Sequence, residues 1–166
     1  LVRYALGDVV RFVSSTPPRL VYIGRTALSL NAFAENVSEK QLTDALVTVC
    51  HRQDWKIVNF HTAPLFSSGP ARGRHEWWLE LRPGTVTTPT GPQIATSVDT
   101  ELQRLSTDYQ AKRRAGVLDA PVVRLVMPGV FEHWLTYQGK WGGQHKLQRC
   151  RSDRLIADEL AQIRSE

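Results

Sequence analysis

Two short stretches of this chain carry residue types that could hold a nucleotide. In the first, Tyr4 precedes Gly7-Asp8 at the entrance to an apolar run. An ionised Asp offers two acceptor oxygens, so a carboxylate fixed at a strand edge can receive both hydroxyls of a ribose. The same pair also reads as an ordinary turn. In the second, Trp141-Gly142-Gly143-Gln144-His145-Lys146, two glycines allow close backbone approach and a lysine follows. Lysine is a mobile point charge suited to a phosphate. A solvated loop is the plainer reading of that stretch.

Other chemistries find little support. The five histidines, His51, His61, His75, His133 and His145, show no His-x-His or His-x-x-x-His spacing. His61 and His75 could still meet across strands, yet no metal is expected. There is no Gly-x-Ser-x-Gly elbow, no Walker phosphate loop and no dinucleotide glycine fingerprint. A complete enzyme is hard to build from these residues alone.

The 166 residues suit one domain or one domain with an appendage, and 42% apolar against 22% charged residues can bury a core. No apolar run approaches a membrane span, and no basic-then-apolar leader opens the sequence. Cys50 and Cys150 form no Cys-x-x-Cys pair, which points to a reducing, cytoplasmic compartment. The 21 Lys and Arg exceed the 16 Asp and Glu, a net charge of +5 that favours an anionic partner. The excess gathers at Lys140, Lys146, Arg149, Arg151 and Arg154, opposed only by Asp153.

These residues need elements to position them. Residues 8–13 and 20–23, separated by Ser14-Ser15-Thr16-Pro17-Pro18, read as a hairpin. Ser38 and Gln41 form a capping box, with Val37 and Leu42 as its staple. Leu42, Ala45, Leu46, Val49 and Cys50 then make one helical stripe, so Cys50 is a small core residue rather than a nucleophile. Residues 57–61 form a weaker strand ending at Pro64. In residues 74–81, His75, Trp77, Leu79 and Leu81 face one way and Glu76, Trp78 and Glu80 the other.

One long helix is expected from Pro92 to Gly116, with Ile94, Val98, Leu102, Leu105 and Tyr109 on one side and an Arg104–Asp108–Lys112 ladder outside. A buried strand at 122–127, a short helix carrying Phe131, Trp134 and Leu135, and a closing helix at 155–163 complete the chain. The class is α+β: a small mixed sheet of about four to five strands flanked by helices, with an N-terminal β-hairpin.

Taken in order, these stretches resemble the C-terminal domain of the auxin-responsive acyl acid–amido synthetases, the Gretchen Hagen family. Tyr4-x-x-Gly7-Asp8-Val9-Val10 is similar to the family's aromatic–Arg–x–Gly–Asp–Val–Val motif. Pro18-x-Leu20 through Arg25, then Leu28-Ser29-Leu30, resembles its Pro–x–Phe–x–Phe–x–x–Arg hairpin and the stretch after it. His75 to Leu81 resembles a His-led strand ending in Glu-Leu, and Val126-x-Pro128-Gly129-x-Phe131 a Pro-Gly-Thr-Phe turn. Gln144-His145-Lys146-Leu147-Gln148-Arg149-Cys150 resembles Gln-Tyr-Lys-Thr-Pro-Arg-Cys. Ala5 departs from the family's Arg, Asn36 stands roughly where plant members carry a lysine, and Gln148 replaces the proline.

The resemblance implies an adenylate-forming ligase that uses ATP and Mg²⁺ to activate a carboxylic acid as an acyl-adenylate, then passes the acyl group to an amino acid. This chain would be its smaller lid domain, not active on its own, working against an N-terminal adenylation domain that binds most of the ATP. Residues 1–36 would form a hinge-proximal hairpin segment and residues 37–166 the lid proper. Lys146 would be the catalytic cation, with Asp8, Arg25 and Tyr4 near the nucleotide. Two readings compete: a stand-alone basic module gripping nucleic acid through residues 140–154, and a scaffold using exposed tryptophans among Trp55, Trp77, Trp78, Trp134 and Trp141.

Overall fold

The computed structural model describes residues 8–25, 28–67, 72–83, 88–139 and 147–163. Its centre is a three-stranded mixed sheet made of β5 (Ile57–Phe66), β6 (Gly73–Leu81) and β7 (Val122–Val126), in the order β5-β6-β7. β5 and β6 run antiparallel, whereas β6 and β7 run parallel. A parallel neighbour requires a crossover, and α2 (Gly91–Leu105) with α3 (Thr107–Arg114) supplies it. β1 (Asp8–Ser15) and β2 (Pro18–Arg25) form a separate antiparallel hairpin, and β3 (Ser29–Leu30) pairs with β4 (Val37–Ser38) in a two-residue ladder. The α+β class, the mixed sheet between helices and the N-terminal hairpin agree with the sequence, and the described sheet has three strands where about four to five were expected.

Both faces of the sheet are covered. On one, Phe60, Trp77 and Leu79 meet Leu42, Leu46 and Val49 of α1 (Glu39–Gln53) and Ile94, Val98 and Leu102 of α2. The Phe60 and Trp77 rings stack at 5.5 Å. On the other, Ala63 and Trp78 meet Phe131 and Trp134 of α4 (Val130–Tyr137) and Ile156, Ala157 and Leu160 of α5 (Leu155–Ile163). The register pairs His61 with Trp78 and His75 with Pro64, so the two histidines lie on opposite faces and do not meet.

The capping box at the start of α1 forms as its residues require: Ser38 Oγ accepts from the Gln41 N–H at 3.2 Å, and Gln41 Oε1 accepts from the Ser38 N–H at 2.9 Å. Cys50 is half-buried on the same helix, and burial raises its thiol pKa. β5 runs through Pro64 to Phe66, longer than its sequence suggested. Pro64 is tolerated because β6 flanks only one side of β5, and its carbonyl accepts from Arg154 at 2.7 Å.

The expected single helix from Pro92 to Gly116 is two. Ser106 has extended backbone (φ −132°, ψ 111°), closes α2, and caps α3 by accepting from the Tyr109 N–H at 3.2 Å. A serine followed by Thr107-Asp108 is a helix-start signal that the continuous apolar stripe hid. The break also undoes the Arg104–Asp108–Lys112 ladder, and Arg104 instead grips the buried Glu101 at 2.6 Å. Asp99 staples the two helices, accepting from the Tyr109 hydroxyl at 2.7 Å and from Arg113 at 2.9 Å.

Candidate functional site

The hairpin register places Asp8 opposite Arg25. The two residues lie at the ends of their strands farthest from the Thr16-Pro17 turn, so the backbone brings together two residues the sequence had separated by a full hairpin. The remaining hairpin pairs include Phe12 with Leu20, two apolar residues that are 69% and 54% exposed. Tyr4 and Lys146 lie outside the described residues. So does the whole Trp141 to Lys146 loop; the described chain resumes at Leu147, in the loop's downstream stem.

That stem is held tightly. Arg149 O accepts from the Thr62 N–H at 2.8 Å, and Thr62 O accepts from the Arg151 N–H at 3.1 Å, so residues 149–151 extend the sheet at the β5 edge. His61 Nδ1 donates to Gln148 O at 2.7 Å, the only direction possible toward a carbonyl. Burial lowers the His61 pKa to about 4, which keeps the ring neutral, and the Gln148 carbonyl places its one proton on Nδ1. Cys150 is fully buried and its thiol is pushed up to about 12, again by burial. Ser152 Oγ donates to Ser29 O and accepts from the Asn31 N–H, both at 3.0 Å, tying the stem to the β3 region.

Two of the three described arginines of the basic stretch have acidic partners. Arg151 meets Asp153, and Arg154 meets both Asp158 at 3.0 Å and the buried Glu76 at 2.9 Å. Arg124 closes on the other oxygen of Glu76 at 2.6 Å. This carboxylate between two guanidiniums joins β6, β7 and the start of α5, and sequence reading gave it no such role. Arg149 differs: it lies 5.4 Å over the Phe60 ring and donates to Thr43 Oγ1 at 3.3 Å.

A second buried pair sequence reasoning missed is Glu35 with His75, 3.1 Å apart and both inaccessible. Burial pushes the Glu35 carboxyl up, but pairing with His75 and the Phe33 N–H bond at 2.7 Å outweigh it, leaving the pKa lowered. The pair draws the loop between β3 and β4 onto β6. Asn36 in that loop takes a positive φ of 48°, a conformation Asn tolerates better than most residues. Among the described residues no three His, Cys, Asp or Glu side chains converge as a metal would need, and no helix is long and apolar enough to cross a membrane.

Comparison with known proteins extends this picture. No curated protein matches the sequence. Among solved structures, a GH3.15 acyl acid amido synthetase superimposes with a TM-score of 0.70 at 19% identity, covering 99% of this chain and 31% of that one. AtGH3.15 acyl acid amido synthetase in complex with 2,4-DB gives 0.66 at 17% identity, covering 96% and 30%. The chain therefore spans less than a third of the length of these relatives, and the likeness shows a shared fold. Residues 40–155 match the family described as "GH3 family C-terminal domain". Strand β7, half-buried except for its buried Val123, the turn at Gly129 and the clamped stem after Lys146 all fall inside that span, and the chain belongs to the GH3 family through its C-terminal domain.

Proposed function

We propose that this chain is the lid domain of an ATP-dependent acyl acid–amido synthetase, working with an N-terminal adenylation domain on a carboxylic acid and an amino acid. The observation that carries the reading is the pairing of Asp8 with Arg25 in a chain that matches the family's C-terminal domain. An acidic and a basic residue at paired backbone positions suit a nucleotide by chemistry: a carboxylate accepts from ribose hydroxyls and a guanidinium donates to phosphate. The described residues offer no comparable carboxylate set for Mg²⁺. The ion is assigned to the N-terminal domain.

A carboxylate attacking ATP brings two anions together, and negative charge grows on the phosphate oxygens as pyrophosphate leaves. Bound Mg²⁺ supplies charge neutralisation at the phosphates. Lys146 adds a positive charge at the reacting phosphate, Asp8 and Arg25 hold the nucleotide with Tyr4 beside it, and the clamped stem at 147–151 gives the lysine a rigid base. Residues 1–36 act as the hinge-proximal segment and residues 37–166 as the lid. Its movement after adenylation withdraws Lys146 and admits the amine, which is gating rather than chemistry.

The separated 166-residue chain is expected to catalyse no acid-dependent ATP–pyrophosphate exchange, whereas the longer enzyme containing it does. Exchange by the purified chain alone would contradict the reading.

A further inference from the structure

The outer side of α1 and the start of β5 enclose a groove of about 370 Å³ that the ligase reading does not use. Its walls are apolar and aromatic, with Leu46, Trp55 and Phe60 inside and Val47 and Val58 exposed at the margin. Its basic lining is Lys56, Arg82 and Arg149, and no Asp or Glu lines it. Lys56 is already satisfied by Asp54. Arg82 and Arg149 meet no carboxylate among the described residues, unlike Arg113, Arg124, Arg151 and Arg154.

A guanidinium lying over an aromatic ring keeps edge N–H groups free for a planar acceptor. Arg149 over Phe60 has that arrangement, and the one described hydrogen bond of its guanidinium is the long one to Thr43. Positive charge without a counter-ion, set beside apolar walls, complements a ligand with a negative head and an apolar body. The volume falls within the small-molecule range of roughly 300–1,000 Å³. We propose that this groove binds a small organic monoanion with a flat apolar body, its carboxylate or sulfonate on Arg149 with Arg82 at the rim, and its body against Trp55 and Leu46.

The test is fluorescence titration of the 166-residue chain with 8-anilinonaphthalene-1-sulfonate and with N-phenyl-1-naphthylamine, which has the same rings and no charge. The anion is expected to bind saturably and about tenfold tighter than the neutral probe, as a charge-assisted contact requires. Arg149→Gln and Arg82→Gln each remove about tenfold, while Phe12→Ser, on the exposed hairpin, leaves affinity unchanged. Amide shifts on titration should gather in α1 and at the start of β5. Should Arg149→Gln fail to fold for want of its packing on Phe60, Arg82→Gln decides alone.

Equal affinity for the two probes, full affinity in the folded arginine variants, or loss of binding in Phe12→Ser would overturn the proposal. None of these outcomes bears on Lys146, so the groove and the ligase reading stand or fall separately.

Discussion

His61 is a basic residue that the fold keeps uncharged. It is fully buried, and burial lowers its pKa from 6.5 to about 4. Between those values the unfolded chain binds a proton that the folded chain does not, so stability falls as pH drops from 6.5 toward 4. The full effect is about 3 kcal/mol, and urea unfolding across that window should show it. His61→Gln should flatten the slope there, and an unchanged slope would count against the burial argument. Glu35 and Asp153, whose pKa values lie below normal, act at lower pH: their stabilisation is lost as the medium turns more acidic than their unfolded values. At the proposed nucleotide contact, Asp8→Ala in the longer enzyme should weaken ATP binding by about tenfold, and unchanged affinity by calorimetry would remove that role. Asp8 stands out in the sequence as a candidate because Gly-Asp at a strand entrance is a local pattern. Glu35, His61 and Glu76 were not, because their roles come from partners 40 or more residues away.

Gly91 opens α2 where the helix meets β7. A Cβ there would stand 2.6 Å from Val123 O, a backbone atom of the sheet that cannot step aside. Gly91→Ala should therefore cost roughly 1–3 kcal/mol in chemical denaturation despite alanine's better helix propensity; a neutral or stabilising result would contradict the close approach. At the other end of the same helix, Ser106→Ala should cost about 1 kcal/mol by uncapping α3. That second helix shows where sequence reading stopped. The stripe from Ile94 to Tyr109 keeps helical spacing through the break, since Tyr109 stays buried and its hydroxyl reaches Asp99. Periodicity therefore reported the buried side correctly and missed the change of direction, which rests on one serine's backbone. Short-range signals did better elsewhere: the Ser38–Gln41 box and the alternation in β6 both appear in the structure as the residues required.

Among the described residues a central sheet lies between two helical layers, and the strands of the N-terminal hairpin pair only with each other. The layers were legible from alternation and helical spacing, because both faces of β6 carry large residues. What the hairpin and the Lys146 loop act upon was not legible, because their proposed counterpart belongs to the remaining two thirds of a relative's length. The central claim is that this domain brings a positive charge to the phosphate undergoing attack. Its most direct test is acid-dependent ATP–pyrophosphate exchange by the longer enzyme carrying Lys146→Ala, with folding checked by thermal unfolding. The account predicts a fall of about 10²–10³ in exchange rate with the unfolding temperature nearly unchanged. Exchange at the wild-type rate in that folded variant would contradict it.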